Sequence, residues 1–278
     1  MSTLQTTVSA AVIQMVSGTA MADNVTSAQR LITQAVQAGA QLISLPENWA
    51  LMGVRETDKL AIAEADGQGV LQAFMAQQAQ QHGVWLLGGT IPVAASASKV
   101  TAKQYVYAPT GACVARYDKL HLFDVQLADG ETYRESNTLQ AGTAPVICDT
   151  PWGKAGLSVC YDVRFPELYR YYSAHSCAFL TVPSAFTYQT GQAHWMVLLR
   201  ARAIENQSFI LAANQGSGAI HAHQNGRHTY GHSAIVSPWG KVLACCEQDG
   251  EGFALATLEL DQLTQVRAQL PALTHRRF

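Results

Sequence analysis

The sequence predicts an α/β fold with many strands in mixed pairing, built as two sheets sandwiched between layers of helix. Three observations predict it. Apolar runs of strand length alternate with helix-periodic segments along the chain. Two pairs of strand runs fold back as hairpins at turns rich in proline and glycine. Helical segments bracket those hairpins, as they do when helices cover the outer faces of packed sheets. No repeat, low-complexity tract or linker-like shift in composition breaks the pattern, so residues 1–278 read as one continuous domain.

Val8 to Met15 reads as a first strand, followed by a helix carrying Val25, Ala28, Ile32, Ala35 and Val36 at helical spacing. Gln41 to Leu45 is a short buried strand that stops at Pro46. A second helix carries Val70, Leu71, Phe74, Met75 and Ala79 and ends near Gly83, and Val84 to Val93 reads as the next strand. Lys103 to Arg116 is a hairpin turned at Pro109-Thr-Gly111. Val146 to Asp149 and Ala155 to Val159 form another, turned at Pro151-Trp-Gly153. A helix opens at Phe165-Pro-Glu167, where the missing proline N–H costs least. Phe179 to Val182, Ser208 to Ala213, Thr229 to Val236, Lys241 to Cys245 and Phe253 to Leu258 supply further strands, with a strong helix over Ala193 to Glu205.

Composition narrows the function. The 278 residues are 48% hydrophobic and 14% charged, which excludes intrinsic disorder. Eighteen Lys and Arg against twenty Asp and Glu leave no basic excess for phosphate contacts, so a nucleic-acid partner is not expected. The apolar runs fall far short of the roughly 18 residues of a spanning helix, so no membrane partner is expected. The first Lys or Arg is Arg30, so no basic leader is read at the N-terminus, and a cytoplasmic protein is expected.

Six cysteines (113, 148, 160, 177, 245 and 246) without dense spacing or a CxxC pair read as reduced thiols. Histidines cluster at His221, His223, His228 and His232. The glycine-rich segment around them offers no carboxylate or thiol to complete a metal site, so it reads as a polar surface or active-site loop, and no metal is expected.

The most informative segment is Gly156-Leu-Ser-Val-Cys160-Tyr-Asp-Val-Arg164-Phe-Pro-Glu167. A buried strand delivers Cys160 to a sharp turn, and a helix begins a few residues later. The helix N-terminus and the nearby N–H groups would favour a thiolate there and could hold an oxyanion. Taken alone, Cys160 could equally be one more buried small residue. A nucleophilic thiol needs a base, for which His194 or His232 would serve. Two other strand ends also carry ionisable groups. Ser44-Leu-Pro-Glu47 places a carboxylate after an apolar strand and a proline, and Arg116-Tyr-Asp-Lys119-Leu-His places an ammonium where a strand runs into a loop. Separately, Glu47 could be a cap and Lys119 a solvated lysine.

Together these three segments resemble the nitrilase (carbon–nitrogen hydrolase) superfamily. The resemblance runs through Leu45-Pro-Glu47, Tyr117-Asp-Lys119-Leu-His-Leu-Phe-Asp124, Cys160-Tyr-Asp-Val-Arg-Phe-Pro-Glu-Leu168, Ala193-His-Trp195, Arg200-Ala-Arg-Ala-Ile-Glu-Asn206, Tyr230-Gly-His-Ser233 and Ser237-Pro-Trp-Gly240. It implies a four-layer α-β-β-α sandwich that pairs through helices into a homodimer or a higher homo-oligomer. Leu168, Tyr169 and Tyr172, which look exposed on the helix after Cys160, would suit the interface.

The resemblance also implies a Glu-Lys-Cys triad of Glu47, Lys119 and Cys160 working without cofactor. Glu47 would act as general base and acid, with Lys119 and the backbone N–H of Tyr161 receiving the oxyanion of a thioester-forming attack. A second glutamate after the lysine is matched by Glu135 in preference to Glu131. Arg164 reads equally as a partner for a substrate carboxylate or as a structural ion pair. Phe186, Thr187 and His194 are candidate substrate contacts. Trp195, Met196, Leu199 and Ile204 read as core.

Within the superfamily the chain resembles the Nit branch and, in it, the deaminated glutathione amidases, through Pro183-Ser-Ala-Phe186, Ala212-Ala-Asn-Gln215 and Arg227-His-Thr-Tyr-Gly-His-Ser233. That implies repair hydrolysis of a small-molecule amide, releasing 2-oxoglutarate and cysteinylglycine. An ω-amidase acting on 2-oxoglutaramate is the enzymatic alternative, with nitrile hydrolysis less supported. A catalytically silent binding module of the same fold is the non-enzymatic one. The insert from Gly216 to His228 is where a longer substrate tail would be read.

Overall fold

The computed structural model describes residues 6–126, 132–217, 223 and 226–277. The first half of the chain runs β1 (Thr7–Gln14), α1 (Met21–Gln37), β2 (Leu42–Ser44), the single turn α2 (Asp58–Ala61), α3 (Val70–His82), β3 (Trp85–Leu87), β4 (Ile91–Ala94), β5 (Val100–Tyr107) and β6 (Cys113–Asp118). A small ribbon of β7 (Asp124–Gln126) and β8 (Thr132–Arg134) leads into the second half. There β9 (Ile147–Thr150), β10 (Gly153–Gly156), α4 (Pro166–Ala174), β11 (Phe179–Thr181), a short α5 (Tyr188–Thr190), α6 (Met196–Asn206), β12 (Phe209–Ala212), β13 (Ala234–Val236), β14 (Val242–Cys245), β15 (Gly252–Glu259) and α7 (Asp261–Gln269) follow.

Two mixed sheets result. One has the order β15-β1-β2-β3-β5-β4 with β6 added on β5, and the other has the order β14-β13-β12-β11-β10-β9. Parallel β1-β2-β3 form the middle of the first sheet and parallel β10-β11-β12 that of the second. Side chains alternate across a strand, and β1 uses both faces. Val8, Ala10 and Val12 pack with the second sheet, whereas Ala11 and Ile13 pack with Ala28, Leu31, Ile32 and Ala35 of α1 and with Leu71 and Met75 of α3. The second sheet is covered in turn by Leu168, Tyr169 and Tyr172 of α4 and by Leu199 and Ala203 of α6. The layers are therefore α1/α3, sheet, sheet, α4/α6: a four-layer α-β-β-α sandwich, with the strand ends opening at one edge.

Several expectations are corrected. The stretch 84–93 is two strands rather than one, because Gly89 turns at φ +57° and brings its Cα against the Pro46 carbonyl. A Cβ there would meet the Pro46 oxygen at 2.1 Å, so only glycine fits beside the loop that carries Glu47. The stretch 229–236 pairs as a regular strand only over Ala234–Val236. Helix α7 was not anticipated, because its sequence is polar and carries little helical periodicity. Leu168, Tyr169 and Tyr172 do not face outward. Tyr172 packs on Gly156, its hydroxyl donates to the Leu157 carbonyl, and the Tyr169 hydroxyl bonds to Ser158. The exposed apolar side chains in this region are Tyr171, Val197, Ile204 and Trp239, so Ile204 is not core. No helix among the described residues is long and apolar enough to cross a membrane.

Candidate active site

Glu47 follows β2, whose apolar run ends at Pro46. Its backbone is clamped from three sides. Gln215 Nε2 donates to the Glu47 carbonyl (3.0 Å), the Trp49 indole donates to the Gly88 carbonyl (2.8 Å), and the Asn48 N–H donates to Thr90 Oγ1 (2.9 Å). Asn48 sits in the left-handed region at φ +55°, a conformation asparagine tolerates better than most residues. The carboxylate is buried. Oε2 accepts the Ala185 N–H at 2.9 Å, and Oε1 accepts Lys119 Nζ at 2.8 Å.

Lys119 lies just past the end of β6 and is 1% exposed, so it is not a solvated surface lysine. Its ammonium also donates to both oxygens of Glu135, at 2.8 and 3.1 Å. Burial alone would lower its pKa, but the Glu135 and Glu47 carboxylates outweigh burial and hold it well above the ordinary lysine value. Glu135 shows the converse. Burial opposes its ionisation, yet Lys119, with help from Lys59 and the Phe123 N–H (2.8 Å), draws it down to about 2. Glu135 opens a short helical turn directly after β8, so the ribbon β7–β8 delivers it to the lysine.

Cys160 stands at the first residue of a 3-10 turn after the extended segment that continues β10. Its φ of +48° is left-handed and strained for a non-glycine residue, a conformation that concentrates at functional sites. The surroundings enforce it. The Cys160 N–H donates to the Pro183 carbonyl (2.9 Å), and the buried Asp162 carboxylate accepts the Val159 N–H (2.8 Å). Asp162 also accepts from the Tyr117 hydroxyl (2.7 Å) and the His121 N–H (3.0 Å), so it ties the cysteine turn to the segment that carries Lys119. Burial, then the Glu47 charge, pushes the thiol pKa well up, with Lys119 opposing. Burial and the neighbouring carboxylate thus work against the helix N-terminus at this thiol, which fits the expected need for a base, Glu47, to take its proton.

These groups floor a small pocket lined by Glu47, Glu135, Cys160 and Tyr161 together with Phe123 and Ala185. The walls add Arg164, Phe186, Thr187, Thr190 and Arg227. The Arg164 guanidinium lies 5.1 Å from the Phe186 ring centroid and 5.9 Å from that of Tyr161. Its polar contact is His194 Nδ1 at 3.2 Å, not a carboxylate. His194 is exposed and outside the cavity lining, so it backs Arg164 rather than facing the cavity. Phe186 and Thr187 line the cavity as expected, and buried Trp195 packs behind Phe186 at 4.9 Å.

Sequence reasoning did not single out Phe123, Thr190 or Arg227. Arg227 was noted only within a family block, because nothing local ties a loop arginine to a strand end. His232 gives its Nδ1 to the Tyr230 carbonyl at 2.8 Å. After burial, the groups with the largest effect on the Cys160 thiol are Glu47, Lys119 and Glu135. His223 spends both ring nitrogens, on the Ser17 carbonyl and Thr229 Oγ1, each at 2.8 Å. Among the described residues no group of three or more His, Cys, Asp or Glu is arranged to hold a metal ion. Glu131, His221 and most of the 216–228 insert lie outside the described residues. A thiol, a carboxylate able to take its proton, and a fixed buried ammonium together can support attack on a carbonyl carbon.

The sequence profile described as carbon-nitrogen hydrolase matches residues 9–268. A deaminated glutathione amidase of Synechocystis sp. is 45% identical over 273 residues, spanning 97% of this chain and 98% of that protein. One of Yersinia enterocolitica is 39% identical over 271 residues, spanning 96% and 92%. Among solved structures, Saccharomyces cerevisiae Nit3, a member of branch 10 of the nitrilase superfamily, superposes with a TM-score of 0.87 at 27% identity, covering 99% of this chain and 98% of that one.

Proposed function

The chain belongs to the carbon–nitrogen hydrolase family and is an enzyme of that class, and from that premise we propose that it is a cysteine-dependent amidase acting on deaminated glutathione. The observation that carries the chemistry is the buried cluster in which one ammonium, Lys119, joins Glu47 and Glu135 beside Cys160. Glu47 takes the thiol proton as Sγ bonds to the amide carbon. The carbonyl oxygen gains the displaced electron pair, and Lys119 and the Tyr161 N–H stabilise it. Glu47 then passes the proton to the amide nitrogen, the C–N bond breaks and cysteinylglycine departs, leaving a thioester on Cys160. Glu47 next takes a proton from water as its oxygen attacks the thioester carbon. The C–S bond breaks, the sulfur recovers a proton and 2-oxoglutarate leaves. Glu135 fixes Lys119 between the two carboxylates throughout.

The choice of substrate is supported by relatives of that name at 45% and 39% identity and by the two arginines in the cavity wall, which suit an acidic substrate. Residues 1–278 act in this reading as one hydrolase domain. Free cysteines suit the reducing cytoplasm. Pairing of two copies is supported by Tyr171, Val197, Ile204 and Trp239, exposed on and beside α4 and α6.

The test is 2-oxoglutarate release from deaminated glutathione and from 2-oxoglutaramate, with Cys160→Ala as the blank. We expect a higher kcat/KM on deaminated glutathione, no turnover by the variant, and an acyl adduct on Cys160 in quenched wild-type samples. A preference for 2-oxoglutaramate overturns the substrate. Turnover by Cys160→Ala overturns the chemistry.

A further inference from the structure

We infer that Lys59 is a positioning residue for the proposed reaction: anchored by Glu56 beside the turn that carries Glu135, its charge keeps that glutamate bonded to Lys119 as a carboxylate and leaves the moving proton to Glu47. The inference rests on the reading above and deepens it.

The first support is where α2 is fastened. Lys59 lies on this four-residue turn and is buried. Its ammonium is 2.8 Å from Glu56 Oε2, three residues earlier in the chain. Next to it, Leu60 packs with Ala63 and Leu122 on a cluster of Val100, Ala102 and Leu139. That cluster reaches the chain on both sides of Glu135 and the backbone of Lys119. Leu122 precedes Phe123, whose N–H donates to the Glu135 carboxylate at 2.8 Å. The Leu139 N–H donates to the Glu135 carbonyl at 2.7 Å, and the Ala102 carbonyl accepts the Lys119 N–H at 3.0 Å. One apolar patch therefore holds α2, the Glu135 turn and Lys119 in a fixed relation.

The second support is the charge itself. A buried ion pair gains little over an apolar contact as a way to hold a turn, because desolvation offsets much of its attraction. A lysine kept at such a place points to a role that needs its charge, and Glu135 supplies one. After burial and Lys119, Lys59 is the next strongest influence on Glu135, and it favours the ionised carboxylate. Glu56 is in turn held ionised chiefly by Lys59, so the anchor is itself charged. Opposite charges thus alternate from Glu47 through Lys119, Glu135 and Lys59 to Glu56. Further neighbours of this row are Cys160 and Asp124, which feel the Glu135 charge, and Arg227, which acts on Glu56. Lys119 bridges two carboxylates, of which the proposed chemistry needs one to stay charged and one to move a proton. A second cation behind Glu135 sets the two apart, as when paired carboxylates divide such roles.

The experiment measures kcat and KM from pH 5 to 8 for wild type, Lys59→Gln, Lys59→Arg and Glu56→Gln. The substrate is whichever of deaminated glutathione and 2-oxoglutaramate the wild type hydrolyses faster. Glu47 and Glu135 share Lys119 and titrate as a unit, so the acid limb of kcat reports the first proton the pair binds. Without the Lys59 charge that proton binds at higher pH. We expect kcat of Lys59→Gln to lie about 3- to 10-fold below wild type at pH 5 and to approach it at pH 8, with KM little changed. Lys59→Arg should restore the limb. Glu56→Gln leaves the cation without its counter-charge and should displace the limb the other way, to lower pH. A pair that only held the turn would respond alike to the loss of either partner. Coincident acid limbs for wild type and Lys59→Gln, or the same upward displacement in Glu56→Gln, overturn the assignment while the amidase reading stands. If Lys59→Gln does not fold, Glu56→Gln decides: a limb displaced to lower pH supports the assignment, and one unmoved or raised overturns it. A wild type that hydrolyses neither amide overturns the amidase reading, and the assignment falls with it.

Discussion

The floor and the walls of the cavity are built by opposite rules. On the floor, Glu47, Lys119 and Glu135 are buried, mutually bonded and fixed by backbone donors from Ala185 and Phe123. On the walls, Arg164 is half-buried, and both it and Arg227 rest on ring faces. A buried ionic cluster tolerates no change of partner, because any unpaired charge is left without water. Half-buried Arg164, resting on ring faces, keeps contact with solvent and can exchange it for a ligand. In the proposed reaction the floor would carry what all substrates share, and the walls what tells one substrate from another.

The sharpest way to break the comparison is Lys119→Met. Two carboxylates would then face each other in a dry site without their cation, and we expect a loss of about 3–5 kcal/mol of stability together with at least about 100-fold in kcat. The pH profile gives the sign. The folded-state pKa of Glu135 is depressed to about 2 from an ordinary 4.5, so its contribution to wild-type stability is complete above about 4.5 and is lost as pH falls toward 2. Without the lysine that acid limb moves to higher pH. Urea midpoints of both proteins from pH 3 to 7 test this. Superimposable profiles would mean that the floor is not an interdependent unit.

The same contrast explains what was legible in the sequence. The strand-end positions of Glu47, Lys119 and Cys160 follow from apolar runs that stop at a proline, a loop and a turn. Most of the two sheets was likewise readable from the 2.0 and 3.6 periods. The walls were not. Phe123 and Tyr133 meet through a ribbon of three-residue strands, and Arg227 reaches Tyr133 from a loop about ninety residues away, a separation no local pattern encodes. The inward turn of α4 was misread for a related reason. Tyrosines look amphipathic in sequence, and only the packing of Gly156 under the Tyr172 ring reveals that Tyr169 and Tyr172 belong to the core while Tyr171 does not. At Cys160 the helix N-terminus is visible in sequence, whereas the burial that raises the thiol pKa is not.

A wall residue should behave differently from Lys119. Arg164 has His194 and two rings for neighbours, so Arg164→Gln leaves no buried charge behind. We expect the melting temperature to hold and kcat/KM on keto-acid amides to fall about 10- to 100-fold, with KM carrying most of the change. A neutral-amide substrate should lose much less. A fall carried by kcat on every substrate alike would move Arg164 from the walls to the reacting floor.

The smallest effect belongs to the segment that leads to Arg227. His223 is buried, and burial, in part offset by its bond to the Ser17 carbonyl, lowers its pKa to about 4 from 6.5. The imidazole is therefore neutral at pH 7, with Nδ1–H donating to Ser17 and Nε2 accepting from the Thr229 hydroxyl. The unfolded chain binds this proton near pH 6.5 while the folded protein refuses it until about pH 4, so stability is complete above 6.5 and falls as the pH drops between those values. The expected loss is on the order of 1 kcal/mol between pH 7 and 5.5. His223→Gln, which keeps a donor and an acceptor but cannot titrate, should flatten that part of the profile. If the profile of His223→Gln keeps the slope of the wild type between pH 7 and 5.5, this imidazole is not the titrating anchor, and the contrast between a fixed floor and its surroundings stops at the cavity lining.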